Sequence, residues 1–488
     1  MLRNIFSRLE ECGSRNAFLF GEQYYTYDEL RIEVIAYQKV INSVSDNSNV
    51  GVVTNYDLKT YASILSIFLS GRTFVPLNPA LPDDRLIQVI NQADVGIILD
   101  SEHHSFFEIK YPEKRADQPQ ILSEDNLNFK QADGNLNAYI FFTSGSTGVP
   151  KGVPITYLNL DSFLAAFFRI GYELNENDRF LQMFDLTFDL SLMSYLAPMC
   201  LGATCYPVSP EGIKYNNIYK LLEDYEISFS LMVPSILTHL RPYFDEIHLQ
   251  SMKYCLFCGE ALRSELVKDW QKCIPSAKIE NVYGPTEATI FCLRYPCNPA
   301  ELKSYNGIVC IGKPMEGMNA AIIGEDGMDA IRGEKGELGL YGSQVTAGYW
   351  KNEKKNQEAF IYSPLGSIYK TGDLCYLDDE GDYYYCGRTD HQVKIQGYRV
   401  ELGEIEFFSS SFLDKKLSVA IVDENPEGIS IYLFVEKNDA QLSDLERFLR
   451  TKLPDYMIPK KLIVLNEFPL NINGKIDRNK LKSLIRAN

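Results

Sequence analysis

AYIFFTSGSTGVPKG, residues 138–152, joins an apolar run to a loop of hydroxyls and glycines that closes on a lysine. The run 138–142 has the length and apolar character of a strand buried on both faces. In the loop, two hydroxyl residues stand beside each of two glycines, so backbone N–H groups are exposed and the side chains add donors. Thr143, Ser144, Gly145, Ser146, Thr147, Gly148 and Lys151 therefore compose a candidate polyphosphate cradle. It is not a Walker loop, because Pro150 precedes the lysine and Gly152 follows it. A Ser/Thr/Gly stretch can be a plain loop; the strand that delivers this one and the lysine that closes it favour the cradle.

Similar apolar or β-branched runs recur at 50–53, 73–75, 95–99, 203–206, 227–232 and 254–257, with helix-like segments such as 58–69 and 158–168 between them. This alternation predicts an α/β fold with mainly parallel sheets. From 307 to 385 the rhythm becomes short strands with Gly and Asp turns, which predicts a smaller β-rich subdomain at about 307–390. After Asp390 comes an α+β unit, with strands at 392–395, 418–422 and 429–435 and helices at 402–407 and 442–453. The expected division is a large lobe, 1–390, and a small lobe, 391–488.

The length of 488 residues allows two to four domains, and 45% hydrophobic with 23% charged residues is ordinary globular usage. The net charge of −17 argues against nucleic acid as a partner. Residues 391–488 hold fifteen Lys and Arg against fourteen Asp and Glu, so residues 1–390 carry −18. The stretch 450–488 is locally basic, either as a solvated face or as a docking surface. The N-terminus has charges where a secretory signal needs an apolar core. The uncharged run 190–210 contains three prolines and a break near Gly202, so it reads as a buried helix followed by a buried strand and not as a membrane span. Eleven cysteines without a signal read as reduced thiols of a cytoplasmic protein. Cys255 and Cys258, with Cys292 and Cys297, have spacing that invites a zinc reading, but the strand pattern around them favours buried thiols.

Several other residues carry chemistry. In NVYGPTEAT (281–289), the Asn281 amide can read a base edge, the Tyr283 ring can stack on the base and Glu287 can hold Mg²⁺. In YKTGDL (369–374), Asp373 can accept two ribose hydroxyls. In FDLTFDLS (184–191), Asp189 is a carboxylate in apolar company, costly unless paired; an incoming ammonium group would pair it, and a helix N-cap role is the alternative.

These stretches, together with GELGLYGSQVTAGYW (336–350), GRTDHQVKIQGYRVELGEIE (387–406), LPDYMIP (453–459) and NINGKIDR (471–478), resemble in order the signatures of the ANL adenylating superfamily. Within it the chain looks like an amino-acid adenylation enzyme, most of all like the stand-alone D-alanine:carrier-protein ligases. The resemblance implies ATP and Mg²⁺ as cofactors. It implies nucleotide contacts from Gly259, Glu260, Asn281, Val282, Tyr283, Gly284, Pro285, Thr286, Asp373, Tyr385 and Arg388 beside the cradle. It implies Lys475 as the catalytic cation that aligns the substrate carboxylate against the α-phosphate, and Asp390 as the hinge on which the small lobe turns between half-reactions.

Substrate positions carry over as Asp189, Leu190, Met193, Leu231, Leu256, Cys258, Val282, Ile290 and Phe291, with Lys475. Past Asp189 and Lys475 they are apolar, which favours a small neutral amino acid, with D-alanine first and L-proline as an alternative. The expected acceptor is a phosphopantetheinylated carrier protein in trans, since about ten residues follow Asp477. A carboxylate:CoA ligase is a second alternative, and a nucleotide-binding regulatory protein a third. Gln396 and Tyr398 flank Gly397 where many adenylation domains place Arg or Lys first, a departure that touches docking of the thiol acceptor.

Overall fold

Strands buried from end to end and helices that alternate with them order the chain into three large sheets and a smaller α+β body. The computed structural model describes residues 1–488 apart from 44–48, 117–125, 146–147, 325–331, 364–365, 391, 414–415, 426–427, 437–440, 471–475 and 488. Two compact units result: Met1–Asn78, Ile90–Phe141 and Gly152–Thr389 form the first, and Pro79–Val89, Phe142–Lys151 and Asp390–Asn488 the second. The hydroxyl-glycine loop thus belongs by its contacts to the same unit as the C-terminal hundred residues.

The first unit contains a nine-stranded sheet in the spatial order Lys313–Pro314, Leu293–Cys297, Lys278–Tyr283, Tyr254–Phe257, Phe229–Met232, Arg179–Gln182, Thr204–Pro207, Asn16–Phe20 and Gln23–Thr26. Neighbours from Lys278–Tyr283 through Asn16–Phe20 run parallel, and antiparallel strands finish both edges. Tyr254–Phe257 and Phe229–Met232 are buried at every residue, as strands covered on both faces must be. Cys255 sits in that interior with its Sγ 3.3 Å from the Ser230 hydroxyl. A second sheet orders Val95–Leu99, Asn49–Val53, Phe74–Leu77, Asn137–Thr143 and Lys151–Thr156. The third is antiparallel, with Met318–Ile323, Gly336–Gly342, Gly366–Leu377 and Phe360–Ser363 in order and Tyr383–Arg388 paired to Gly366–Leu377.

The uncharged run forms helix Asp189–Leu201, buried from Asp189 to Cys200, and strand Thr204–Pro207. Gly202 ends the helix in the left-handed conformation at φ +78°, which costs glycine no Cβ clash. Among the described residues no helix is long and apolar enough to cross a membrane. All eleven cysteines are free thiols.

The second unit packs helices Leu402–Phe412 and Leu442–Arg450 and strands Ser418–Asn425, Gly428–Glu436 and Lys461–Leu465 around Val400, Ile405, Leu433, Leu445, Leu449 and Met457. The second of these helices stops at Arg450, three residues before the sequence-based limit. Gln396 and Gly397 both take positive φ, +51° and +84°, and close the hairpin Gln392–Ile395 with Tyr398–Glu401 as a two-residue turn. Tyr398 stacks on Tyr456 at 3.8 Å between ring centroids, so the residues flanking Gly397 have a conformational and packing role here.

Candidate active site

Helix Asp189–Leu201 is capped by Phe188, and Asp189 is its first helical residue. The N-cap alternative for Asp189 is therefore corrected: its carboxylate reaches across to another loop. Asp189 Oδ2 accepts the Ile290 N–H at 3.3 Å, and the Thr286 hydroxyl is a further partner. Burial pushes its carboxyl up to about 7, helped by the nearby negative charge of Glu287 and opposed by the Ile290 N–H.

The loop that meets Asp189 is held out of ordinary conformation. Thr289 and Ile290 take φ of +55° and +72°, a region that β-branched residues avoid at a cost of about 1–3 kcal/mol each. The Thr289 hydroxyl is tied to the Gln344 carbonyl. Gly284 permits the return of the chain: a Cβ there would lie 2.4 Å from the Phe291 Cα. Leu190, Met193, Leu231, Leu256, Cys258, Val282, Ile290 and Phe291 are all buried in one apolar core, with Phe291 edge-on to Phe163 at 5.0 Å.

Beyond this loop, Asp373 lies within strand Gly366–Leu377, opposite Arg388, which ends its own strand, and Cys375 lies opposite Tyr385. Asp373 is paired with Arg388 through one oxygen and accepts the Tyr283 hydroxyl through the other. The Asn281 amide nitrogen donates to the carbonyls of Val309 and Cys310 at 3.3 and 2.9 Å, so a base edge could meet only its Oδ1 as an acceptor. Glu287 is fully buried and accepts the Tyr349 hydroxyl at 2.7 Å. Glu260 accepts the Ser235 N–H at 2.8 Å, at the start of helix Pro234–Leu240, and Gly259 beside it has φ +90°.

The second unit holds the hydroxyl-glycine loop in an acidic grip. Lys151 Nζ pairs with Glu401 at 3.0 Å, both largely buried, and the Ser144 hydroxyl donates to the Arg399 carbonyl at 2.8 Å. The Gly145 N–H donates to Glu404, which also pairs with the buried Arg85 at 2.8 Å. A Cβ on Gly148 would touch the ring of Phe407 at 2.9 Å. Thr143 begins the loop, and its hydroxyl has no hydrogen-bond partner among the described residues. Asp390 Oδ1 accepts the Gln392 N–H at 3.1 Å. Ser146, Thr147 and Lys475 lie outside the described residues. Sequence reasoning did not single out Tyr349, Arg85, Glu401 or Glu404; Tyr349, Glu401 and Glu404 stand inside quoted stretches, but nothing in a stretch names a partner far along the chain.

A model of AMP-binding enzymes matches residues 6–350. The chain is 31% identical over 497 residues to a linear gramicidin synthase of Brevibacillus parabrevis, covering 99% of this chain and 10% of that protein. It thus spans about a tenth of that relative's length. It is 30% identical over 98% of both chains to a D-alanine–D-alanyl carrier protein ligase of Bacillus cereus. Among solved structures, the Vibrio cholerae adenylation domain AlmE in complex with glycyl-adenosine-5′-phosphate superposes with a TM-score of 0.88 at 25% identity, over 100% of this chain and 97% of that one.

Two outcomes follow from the Asp189 loop. Because its carboxyl is raised above the unfolded value, Asp189 favours folding at low pH and loses that contribution as pH rises through about 7. The unfolding free energy of wild type minus that of Asp189→Asn should fall between pH 4 and 8.5, by up to about 4 kcal/mol, in urea titrations across that range. Gly284→Ala should cost about 1–3 kcal/mol in the same titrations, by forcing Phe291 away.

Proposed function

The chain belongs to the AMP-binding enzyme family of adenylate-forming enzymes, and on that footing we propose that it activates a small neutral amino acid with ATP, D-alanine above others, and passes the aminoacyl group to the phosphopantetheine thiol of a carrier protein in trans. The observation that carries this reading is Asp189, a carboxylate buried among apolar side chains, where burial pushes it up to about 7. An ammonium group is the partner that would hold it ionised. The apolar residues of the substrate side offer nothing to a charged side chain, and leaving one unpaired would be expensive. Two relatives point the same way: one bears a D-alanyl carrier name, and another was solved with glycyl adenylate.

In this reading the substrate carboxylate is already ionised, so it needs alignment and no general base. One carboxylate oxygen attacks the α-phosphorus of ATP and pyrophosphate leaves; the carrier thiol then attacks the carbonyl carbon and AMP departs. Lys475 neutralises the carboxylate and the α-phosphate as they meet. The N–H groups and hydroxyls from Thr143 to Gly148, with Lys151, take the phosphates, while Asp373 and Arg388 take the ribose. Asp390 is the pivot for the second half-reaction, and the basic surface around Lys480 and Lys482 suits an acidic carrier.

The donor set fits Mg²⁺, which takes one or two carboxylate oxygens and fills its remaining positions with phosphate and water. Among the described residues no group of three or more His, Cys, Asp or Glu is arranged to hold a metal, so Glu287 would share an ion carried by the nucleotide. When bound, the ion would neutralise charge on the departing pyrophosphate. The free thiols suit a reducing, cytoplasmic setting.

The reading is tested by pyrophosphate exchange with D-Ala, L-Ala, Gly, Ser, Val and L-Pro. D-Ala should give the highest kcat/KM, and Asp189→Ala should lower it by at least 100-fold; activation of acidic, basic or only non-amino carboxylates would sink it, and loading of CoA in place of a carrier would make the chain a CoA ligase. ATP must also displace Glu401 from Lys151. Glu401→Gln should therefore lower the KM for ATP several-fold in the same assay while leaving the KM for the amino acid unchanged.

A further inference from the structure

Glu287 is held by a loop some sixty residues further on. Tyr349 gives its phenolic proton to Glu287 Oε1 at 2.7 Å, and the Thr346 N–H donates to the Glu287 carbonyl at 2.9 Å. The next contact is made from the other side, by the Thr289 hydroxyl on the Gln344 carbonyl. The 344–349 loop thereby fixes the side chain of Glu287, its main chain, and the strained residue that precedes Ile290.

That loop is itself rigidly seated. The Asn159 amide donates to the carbonyls of Ser343 and Val345 at 2.8 and 3.2 Å, and the Tyr349 N–H donates to Asn356 Oδ1 at 2.6 Å. The Tyr349 ring packs edge-on against Phe360, 5.9 Å between centroids. Its oxygen lies 3.4 Å from the Tyr369 hydroxyl. A phenol has one proton; with that proton on Glu287, Tyr349 can only accept from Tyr369. The direction of the chain is then fixed as Tyr369 to Tyr349 to the carboxylate.

Glu287 is buried with no exposure, so the protein donors on its carboxylate bear directly on which way it faces. We propose that Tyr349 is a positioning residue that orients the Glu287 carboxylate toward the divalent cation of the bound nucleotide. The proposal rests on the adenylation reading above and adds to it a residue that acts through Glu287. Outer donors of this kind typically govern about 10–100-fold in metal affinity.

The test uses the full-length protein, Mn²⁺ as the probe and a non-hydrolysable ATP analogue, with bound Mn²⁺ read by electron paramagnetic resonance. Tyr349→Phe, which keeps the ring and removes the hydroxyl, should weaken nucleotide-dependent Mn²⁺ binding by 10-fold or more. Its affinity for the analogue in EDTA should stay at the wild-type value, and in turnover its Mg²⁺ requirement should rise while the KM for the amino acid holds. Thr346→Val separates positioning from general loosening. It removes the hydroxyl bonds to Pro154 and Gly348 and leaves the N–H to Glu287 in place, so it should lower the Tm without changing Mn²⁺ affinity. Wild-type Mn²⁺ affinity in Tyr349→Phe, or equal weakening in both variants, overturns the proposal. Absence of nucleotide-dependent Mn²⁺ binding in the wild-type protein would overturn the adenylation reading, and the proposal with it.

Discussion

A negative charge buried among apolar side chains is the constraint around which the first unit is arranged. Asp189 opens a helix that is buried along almost its whole length, and it is answered by the N–H of Ile290 and the hydroxyl of Thr286. To bring that N–H into place the chain accepts left-handed backbone at two β-branched residues, a glycine that lets the strand return, and a hydroxyl clamp on Gln344. Each of these features is unfavourable or inexplicable alone. Together they describe a site in which an added cation would relieve the burial of the charge.

The second unit solves a related problem by the opposite means. Its loop offers N–H groups, a hydroxyl and a lysine, and within the unit these meet Glu404, the Arg399 carbonyl and Glu401. An arrangement of donors suited to phosphate oxygens is equally suited to carboxylate oxygens, since both are planar or tetrahedral clusters of strong acceptors. Any anion that entered this loop would thus compete with carboxylates of the same sign of charge.

Much of this was legible in the sequence because it depends on residue type and local order. The fully apolar strands, the break at Gly202, and the oddity of a carboxylate in FDLTFDLS can all be read in windows of ten residues. The partners cannot. Tyr349 and Glu287 are 62 residues apart and Lys151 and Glu401 are 250, and what joins each pair is the path of the chain between them. Asn281 makes the point in reverse: its residue type suggested base recognition, but its amide nitrogen is spent on two main-chain carbonyls, a use that only the neighbouring strand connections reveal. Gln396 looked like a departure in the docking region, and the positive φ it shares with Gly397 gives it a turn to make.

The pairing of Asp373 with Tyr283 and Arg388 bears on the thermodynamics of filling the site. A carboxylate has about four lone-pair sites, so with one donor on each oxygen Asp373 keeps room for a further donor on each, and a sugar hydroxyl there would be added beside the two already held. Any ribose bound there would meet a carboxylate that the protein has already oriented. Because each such hydrogen bond replaces one to water, its net contribution would be modest; the stacking of a base and the phosphates would supply more of the free energy, and Asp373 would contribute discrimination between sugars more than strength of binding.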